Sequence, residues 1–495
     1  MGTASQGQST TSAQGHAAES MRIPSLRRAA ASFAATSLVT AAAVAAHAAA
    51  AGAQLTLRDA FHRADQAAYA NRIAAAAAAA RRAQSLAPLA GILPSMRVEA
   101  GYVRTTDPIG AFGASLRQRS VTQADFDPQR LNYPAAIGNY QGGVVVEQPL
   151  LNADAWIGRS AALHAADATR ASEEWTRIST RVDVVRAYYG AMLARERVAT
   201  LLAAAAAAHA HVAQAEAMVR QGVVTKSDAL LAAVRAGEID AQLAEAEGAS
   251  TTADRQLGVV LGGDGTTPVP ALAAVRLPST ERIADAVAGD TADVPLRARA
   301  DVSAASEGLA AARGDALRAR STLLPRINGF ARYDWNSPAR VYAGDRNWTV
   351  GVMASWNVFA GAGEVADVHA TAARAATARA EADLASASAR LEAEQTRTAL
   401  SVALTRLGIA ERAVAQSAEA HRIVGRKYEG GLATVVELLD AQAAETQSAL
   451  ALAQARWGAI VAAAERRRAL GLDPASLATL DDAATVAVRD SLGGR

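Results

Sequence analysis

At 495 residues the chain is long enough for two or three ordinary domains, but aromatic residues are only 4% of it and alanine is abundant, which is the profile of extended, Ala-packed helices more than of a compact α/β enzyme. A net charge of +2 gives no electrostatic footprint for nucleic acid, despite a pI near 9.0. The lack of any cysteine excludes disulfides, thiolate metal sites, a cysteine nucleophile and a lipid-modified cysteine anchor.

Residues 1–20 are polar and read as a tail upstream of the true start. From Met21 a basic segment (Arg22, Arg27, Arg28) precedes an apolar run, Ala29 to Ala50, and the small residues Ala51-Gly52-Ala53. This pattern predicts an export signal over 21–53 and a mature chain from Gln54. A retained anchor is disfavoured because alanine contributes little insertion energy. Beyond the leader no stretch approaches the roughly 18 consecutive strongly apolar residues of a spanning helix, so a mature chain that crosses a bilayer must do so with strands.

The remainder divides into a first repeat (54–262), a linker (263–295) rich in proline, a second repeat (296–474) and a C-terminal tail (475–495). Each repeat opens on a short helical segment, Leu55 to Ala90 and about Leu296 to Ser321, and then a Leu-Pro step at Pro94 and Pro325. Strands are predicted near 95–104 and 140–150 in the first repeat and near 326–335 and 348–358 in the second, because apolar and polar residues alternate at period two. Tyr102, Tyr140, Tyr333, Trp335, Trp348 and Trp356 in or beside these strands are candidate membrane-interface aromatics. Four strands cannot close in lipid, since both edges would leave backbone groups unpaired. The protein must then oligomerise, with two copies or three left open.

After each second strand runs a long segment nearly free of Gly and Pro. Asn152 to Arg220 is 69 residues, about 100 Å of helix. Its stripe Trp175, Ile178, Val182, Val185, Tyr189, Met192 is spaced 3, 4, 3, 4, 3, as in a coiled coil, and Leu400, Leu404, Leu407 and Val414 continue the pattern in the other half. Gly143 aligns with Gly351 and the breaking Gly222 with Gly430, both at an offset of 208, so the two rods should be equally long. An Ala-rich helix returns from each break, at about half the rod's length.

This repeated order of short helix, Leu-Pro, strand, loop, strand, long helix, Gly turn and returning helix resembles the outer-membrane efflux protein family, typified by TolC, over nearly all of Gln54 to Asp473. The most specific motif is Tyr428-Glu429-Gly430-Gly431-Leu432-Ala433-Thr434, followed by Glu437 and Asp440 and echoed by Gly222-Val223-Val224-Thr225 with Asp228. The resemblance implies a mainly α fold with a small β part. Four strands per protomer would complete a trimeric transmembrane β-barrel above a long coiled-coil periplasmic α-barrel. It further implies a homotrimer in outer-membrane lipid that docks onto a periplasmic adaptor and an inner-membrane transporter of the RND, ABC or MFS type, with no cofactor.

Site roles follow from the same resemblance. Gly222, Val223, Val224, Thr225, Gly430, Gly431, Leu432 and Thr434 would meet the adaptor. Glu437 and Asp440 would ring the narrow mouth with carboxylates, and Asp228 and Tyr428 would help to hold it closed. Ala433 stands where the family has an arginine, so one ionic restraint is missing. Acidic residues also favour a helix N-terminus on their own account.

No catalytic or metal constellation is expected. His209 and His211 are two apart on a helix and point to different faces. Gly262-Gly263-Asp264-Gly265 follows a helix instead of a strand, unlike a phosphate loop. The competing readings are a pore-free periplasmic coiled-coil scaffold and a simple porin, which would leave two matched rods unexplained.

Overall fold

The computed structural model describes residues 54–273, 276–288, 299–359 and 361–480. The predicted upstream tail and export signal, most of the C-terminal tail and Pro295 lie outside them.

The first predicted helical segment is two helices, α1 (Leu57–Ala67) and α2 (Tyr69–Gln84). They part at Ala68, whose ψ of 132° is extended. Strand β1 (Ser95–Thr105) follows. The connection to β2 (Ile137–Leu151), expected to be only a loop, holds two short helices, α3 (Pro108–Arg117) and α4 (Pro128–Asn132). The rod α5 (Ala153–Arg220) turns into α6 (Lys226–Val260). After α7 (Thr280–Val287), helix α8 begins at Ala300 rather than near 296 and ends at Ser321. Strands β3 (Arg326–Ser337) and β4 (Asp345–Ser355), the rod α9 (Gly363–Glu429) and its return α10 (Val435–Ala469) complete the second half.

The rods hold 68 and 67 residues and both returns 35, so the halves match as the spacing predicts. Their correspondence, however, is Gly222 with Gly431, not with Gly430. Gly222 and Gly431 are left-handed, at φ of 76° and 71°, whereas Gly430 keeps φ at −83°. Both breaks are the same helix stop: Val223 N–H bonds Met218 O at 2.9 Å and Leu432 N–H bonds Lys427 O at 2.8 Å.

Two joints let short helices continue the returning ones. At one, the end of α6 abuts the α1–α2 junction, where Gly262 has no room for a side chain because a Cβ would sit 2.3 Å from Ala67 O. At the other, Arg299, just before α8, donates to Ala469 O at the end of α10 at 2.9 Å. The core lies around these joints. Val182, Val185, Tyr189 and Met192 of the α5 stripe meet Leu57, Phe61 and Ala64 of α1, Leu407 of α9, Ile460 of α10 and Ile283 of α7. Trp175, the first residue of that stripe, instead lies beneath two guanidinium groups, Arg299 at 4.7 Å and Arg468 at 5.1 Å.

One expectation needs correcting. Among the described residues α5 contains an 18-residue window of mean hydropathy 1.3, enough by length and composition for a membrane span. Much of α5 is alanine, which raises hydropathy at little insertion energy, and Ala204, Ala205, Ala208 and Ala215 are buried against neighbouring helices.

The four strands form one antiparallel meander in the order β1-β2-β3-β4. A register shift just after Pro149, which pairs with Asn328, leaves Leu150 without a partner before Leu151 resumes against Ile327.

Candidate functional site

Register assigns each strand residue to a face. Met96, Val98, Ala100 and Tyr102 pair with Val146, Val144, Gly142 and Tyr140. These neighbour Ala331, Tyr333, Trp335 and Ser337 of β3, and Tyr333, Ala331 and Gly329 face Trp348, Val350 and Val352 of β4. One face of the sheet is therefore apolar, and it is bare: Trp348 is 73% exposed, and Met96, Val98, Val350 and Val352 are exposed with it. Edge strands β1 and β4 have no outer partner among the described residues.

The predicted aromatics group on this face. Tyr102 and Tyr140 stack at 4.6 Å, and Tyr333 and Trp335 meet edge-on at 4.8 Å. Trp348 sits opposite Tyr333, while Trp356 lies past the other end of β4 and donates to Leu323 O at 2.9 Å. Sequence reasoning missed Tyr342. Its left-handed backbone (φ 59°) lays the ring over Gly142 and beside Trp335, at 5.7 Å.

The opposite face is polar. Arg97, Glu99, Arg332 and Asp334 form a chain of ion pairs, with Glu99 at 3.7 Å from each arginine and Arg332 at 2.7 Å from Asp334. Helix α3 crosses this face at the loop end. Gln118 just beyond it donates to Asn139 Oδ1 at 2.9 Å, buried Asn139 donates to Asn336 at 2.8 Å, and Arg119 lies 3.5 Å from Asp345.

At the far end of the rods the two hairpins share a small core of Ala215, Ala232, Tyr428, Val435, Leu438 and Leu439. Thr225 and Thr434 cap the returning helices. Asp228 and Glu437, three residues on, close each cap by accepting the threonine's backbone N–H at 3.0 and 2.7 Å. The backbone N–H of Thr434 first, and its hydroxyl at 3.1 Å second, hold the Glu437 carboxyl below its usual range. Asp440 is exposed beside Arg235, whose charge is held first by Glu238 and more weakly by Asp440. Tyr428 is 2% exposed, and its hydroxyl has no hydrogen-bond partner among the described residues. Burial first, and the Asp228 charge second, push its phenol up, so the two are neighbours without being bonded. At the tips, Leu432 is 82% and Val223 58% exposed. A residue at this position of the helix stop commonly packs back onto the helix, but Leu432 points away from it.

Above the tips His209 and His211 diverge as the spacing predicts. His209 pairs with Asp240 of α6 at 3.1 Å, while His211 meets the ring of His421 on α9 at 6.0 Å. His421 is bonded to Glu445 of α10, and His211 Nε2 is buried without a partner. Burial first and His421 second lower the His211 imidazole from its ordinary 6.5, with Gln214 opposing. A depressed folded-state value means that the unfolded chain takes up the proton more readily. The stability of this contact is thus full above 6.5 and drains as pH falls below it. On mild acidification the wild type should lose thermal stability relative to His211→Phe, and parallel pH profiles of the two proteins would refute this. Among the described residues no group of His, Cys, Asp and Glu side chains is arranged to hold a metal ion.

With this geometry in view, residues 72–263 and 294–472 match the family model described as outer membrane efflux protein. No curated protein matches the chain significantly. Among solved structures it is similar to the Campylobacter jejuni CmeC outer membrane channel (TM-score 0.71, 15% identity, covering 84% of this chain and 85% of that one). It is also similar to the outer membrane protein VceC of Vibrio cholerae (TM-score 0.69, 17% identity, 84% and 96% covered). A third similar structure is the open state of the Neisseria gonorrhoeae MtrE outer membrane channel (TM-score 0.66, 18% identity, 84% and 89% covered).

Proposed function

This chain belongs to the outer membrane efflux protein family, and from that premise we propose that it is the passive exit duct of a tripartite efflux or type I secretion machine. Membership of an outer-membrane efflux family makes it a channel component of that membrane. The observation that carries the finer reading is the sheet, with one bare apolar face, one charged face and two open edges, joined to rods of 68 and 67 residues, each about 100 Å long. Neither a soluble sheet nor a pore-free scaffold has a use for such a face.

Three copies close a barrel of twelve strands, four from each, with the apolar face toward lipid and the Arg97-Glu99-Arg332-Asp334 belt toward the lumen. From Trp348 to Trp356 is eight residue steps. That is roughly 26 Å along a strand and, at a tilt of roughly 40°, about 20 Å of height, close to the apolar band of such barrels. The rods then span the periplasm as a hollow stalk. Its apolar tips, Val223 and Leu432, dock onto the helical hairpins of an adaptor, and an inner-membrane transporter supplies the energy. Glu437 and Asp440 ring the mouth, and Asp228 and Tyr428 restrain it.

The test is conductance. Purified protein should insert into planar bilayers as a channel, and Tyr428→Phe combined with Asp228→Ala should raise its conductance, because the cap at Thr225 and the phenol are lost together. A protein that never conducts refutes the duct, and an unchanged conductance refutes the restraint alone.

A further inference from the structure

We infer that the outward face of the sheet, at its loop end, is a binding surface for the phosphate-bearing headgroups of outer-leaflet lipid. The inference rests on the outer-membrane barrel above. Arg104 and Arg346 lie on the same face as the apolar residues: Arg104 is two residues beyond Tyr102 on β1, and Arg346 is directly opposite Trp335. Arg340 is exposed on the β3–β4 loop, the same loop that lays Tyr342 onto this face. None of the three guanidinium groups has a carboxylate within ion-pair distance among the described residues. Arg97 and Arg332, on the opposite face of the same strands, do have one.

Unpaired arginines above a bare apolar face and beside an aromatic rim match a lipid in charge and in polarity. Acyl chains meet Val98, Val350 and Val352, rings meet the interface, and phosphate meets guanidinium, whose fork suits two phosphate oxygens.

The experiment compares full-length wild-type protein with a triple variant, Arg104→Gln, Arg340→Gln and Arg346→Gln. After a delipidating wash, each is titrated with diphosphorylated lipid A, with lipid A stripped of phosphate, with phosphatidylcholine and with inorganic phosphate, and bound lipid is read by native mass spectrometry. The expected result is retention of diphosphorylated lipid A by the wild type and its loss in the triple variant, roughly fivefold in affinity for each arginine. Phosphate-free lipid A and phosphatidylcholine should bind both proteins alike. Equal lipid A retention by the two proteins overturns the proposal, and so does full competition by inorganic phosphate at equal concentration, which would mark a simple anion site. If the variant does not assemble, wild-type retention is measured against salt, and a flat response overturns it equally. Planar-bilayer conductance separates the two ideas: a conducting triple variant that no longer holds lipid A supports this surface, whereas a wild type that never conducts refutes the duct beneath it.

Discussion

Replacing Arg299 by alanine should cost the protein about 3 kcal/mol or more, the loss expected when one partner of a buried ion pair is removed and the other charges remain. The Arg299 side chain is 2% exposed. Its guanidinium donates to Asp301 and Glu392, both at 2.7 Å, and to Ala469 O at 2.9 Å, while its plane covers the Trp175 ring. Burial works against the charge, and the two carboxylates overcome it, so the group stays protonated. Four helices meet at this side chain: α8 begins beside it, α10 ends on it, α9 supplies Glu392 and α5 supplies Trp175. Without it, Asp301 loses its partner and Glu392 keeps only Arg468. Thermal unfolding of the solubilised protein checks this. Arg299→Ala should melt well below the wild type, and Arg299→Lys should recover only part of the difference, since an ammonium cannot serve two carboxylates and a carbonyl in the same fork. Coincident melting of the alanine variant and the wild type would show that the cluster contributes no net stability.

Sequence made some of this architecture legible and hid the rest for identifiable reasons. The strands stood out because a sheet with one apolar side writes a strict alternation, Met96, Val98, Ala100, Tyr102 against Arg97, Glu99, Gly101. The rods stood out because 68 residues without proline read as little else. The turn correspondence slipped by one residue because Gly430 and Gly431 are adjacent and equal in composition, and only the sign of φ distinguishes the one that ends the helix. Arg299 was invisible because its partners Glu392 and Ala469 stand 93 and 170 residues away, so no periodicity connects them. The motif offers Glu437 as charge at the mouth and Asp228 as a restraint on it, whereas within the protomer their hydrogen bonds serve the caps at Thr434 and Thr225. Helix α3 was hidden for a different reason. Its ten residues are too few to show a helical stripe, and what fixes its place is a polar contact that continues across two strands.

That contact leads to the second large expectation. If the polar face lines the lumen, α3 lies inside the barrel at its outer end, so three copies narrow the exit from within. Its start is fixed by Asp107, which accepts Gly110 N–H at 2.6 Å, and its end by a residue in the left-handed region, Arg119, at φ of 50°. Ala111 and Ala114 are buried against its surroundings. The helix is nevertheless held to the sheet chiefly by Gln118 on Gly138 O and Asn139, and by the exposed Arg119–Asp345 pair. An exposed ion pair contributes about 1 kcal/mol at most, and a neutral hydrogen bond about as much, so the attachment is weak beside the strand ladder. Gln118→Ala with Arg119→Ala should therefore release α3 while leaving the barrel intact. Single-channel conductance should rise and its fluctuations should increase, and replacing residues 107–134 with a short flexible turn should raise conductance further and make it steady. These changes should be larger in the Tyr428→Phe, Asp228→Ala background than in the wild type, because two constrictions in series add as resistances and the narrower one dominates. If removing residues 107–134 leaves conductance unchanged even when the lower mouth has been loosened, then α3 does not obstruct the exit, and the polar contacts of Gln118 and Arg119 serve only to brace the sheet.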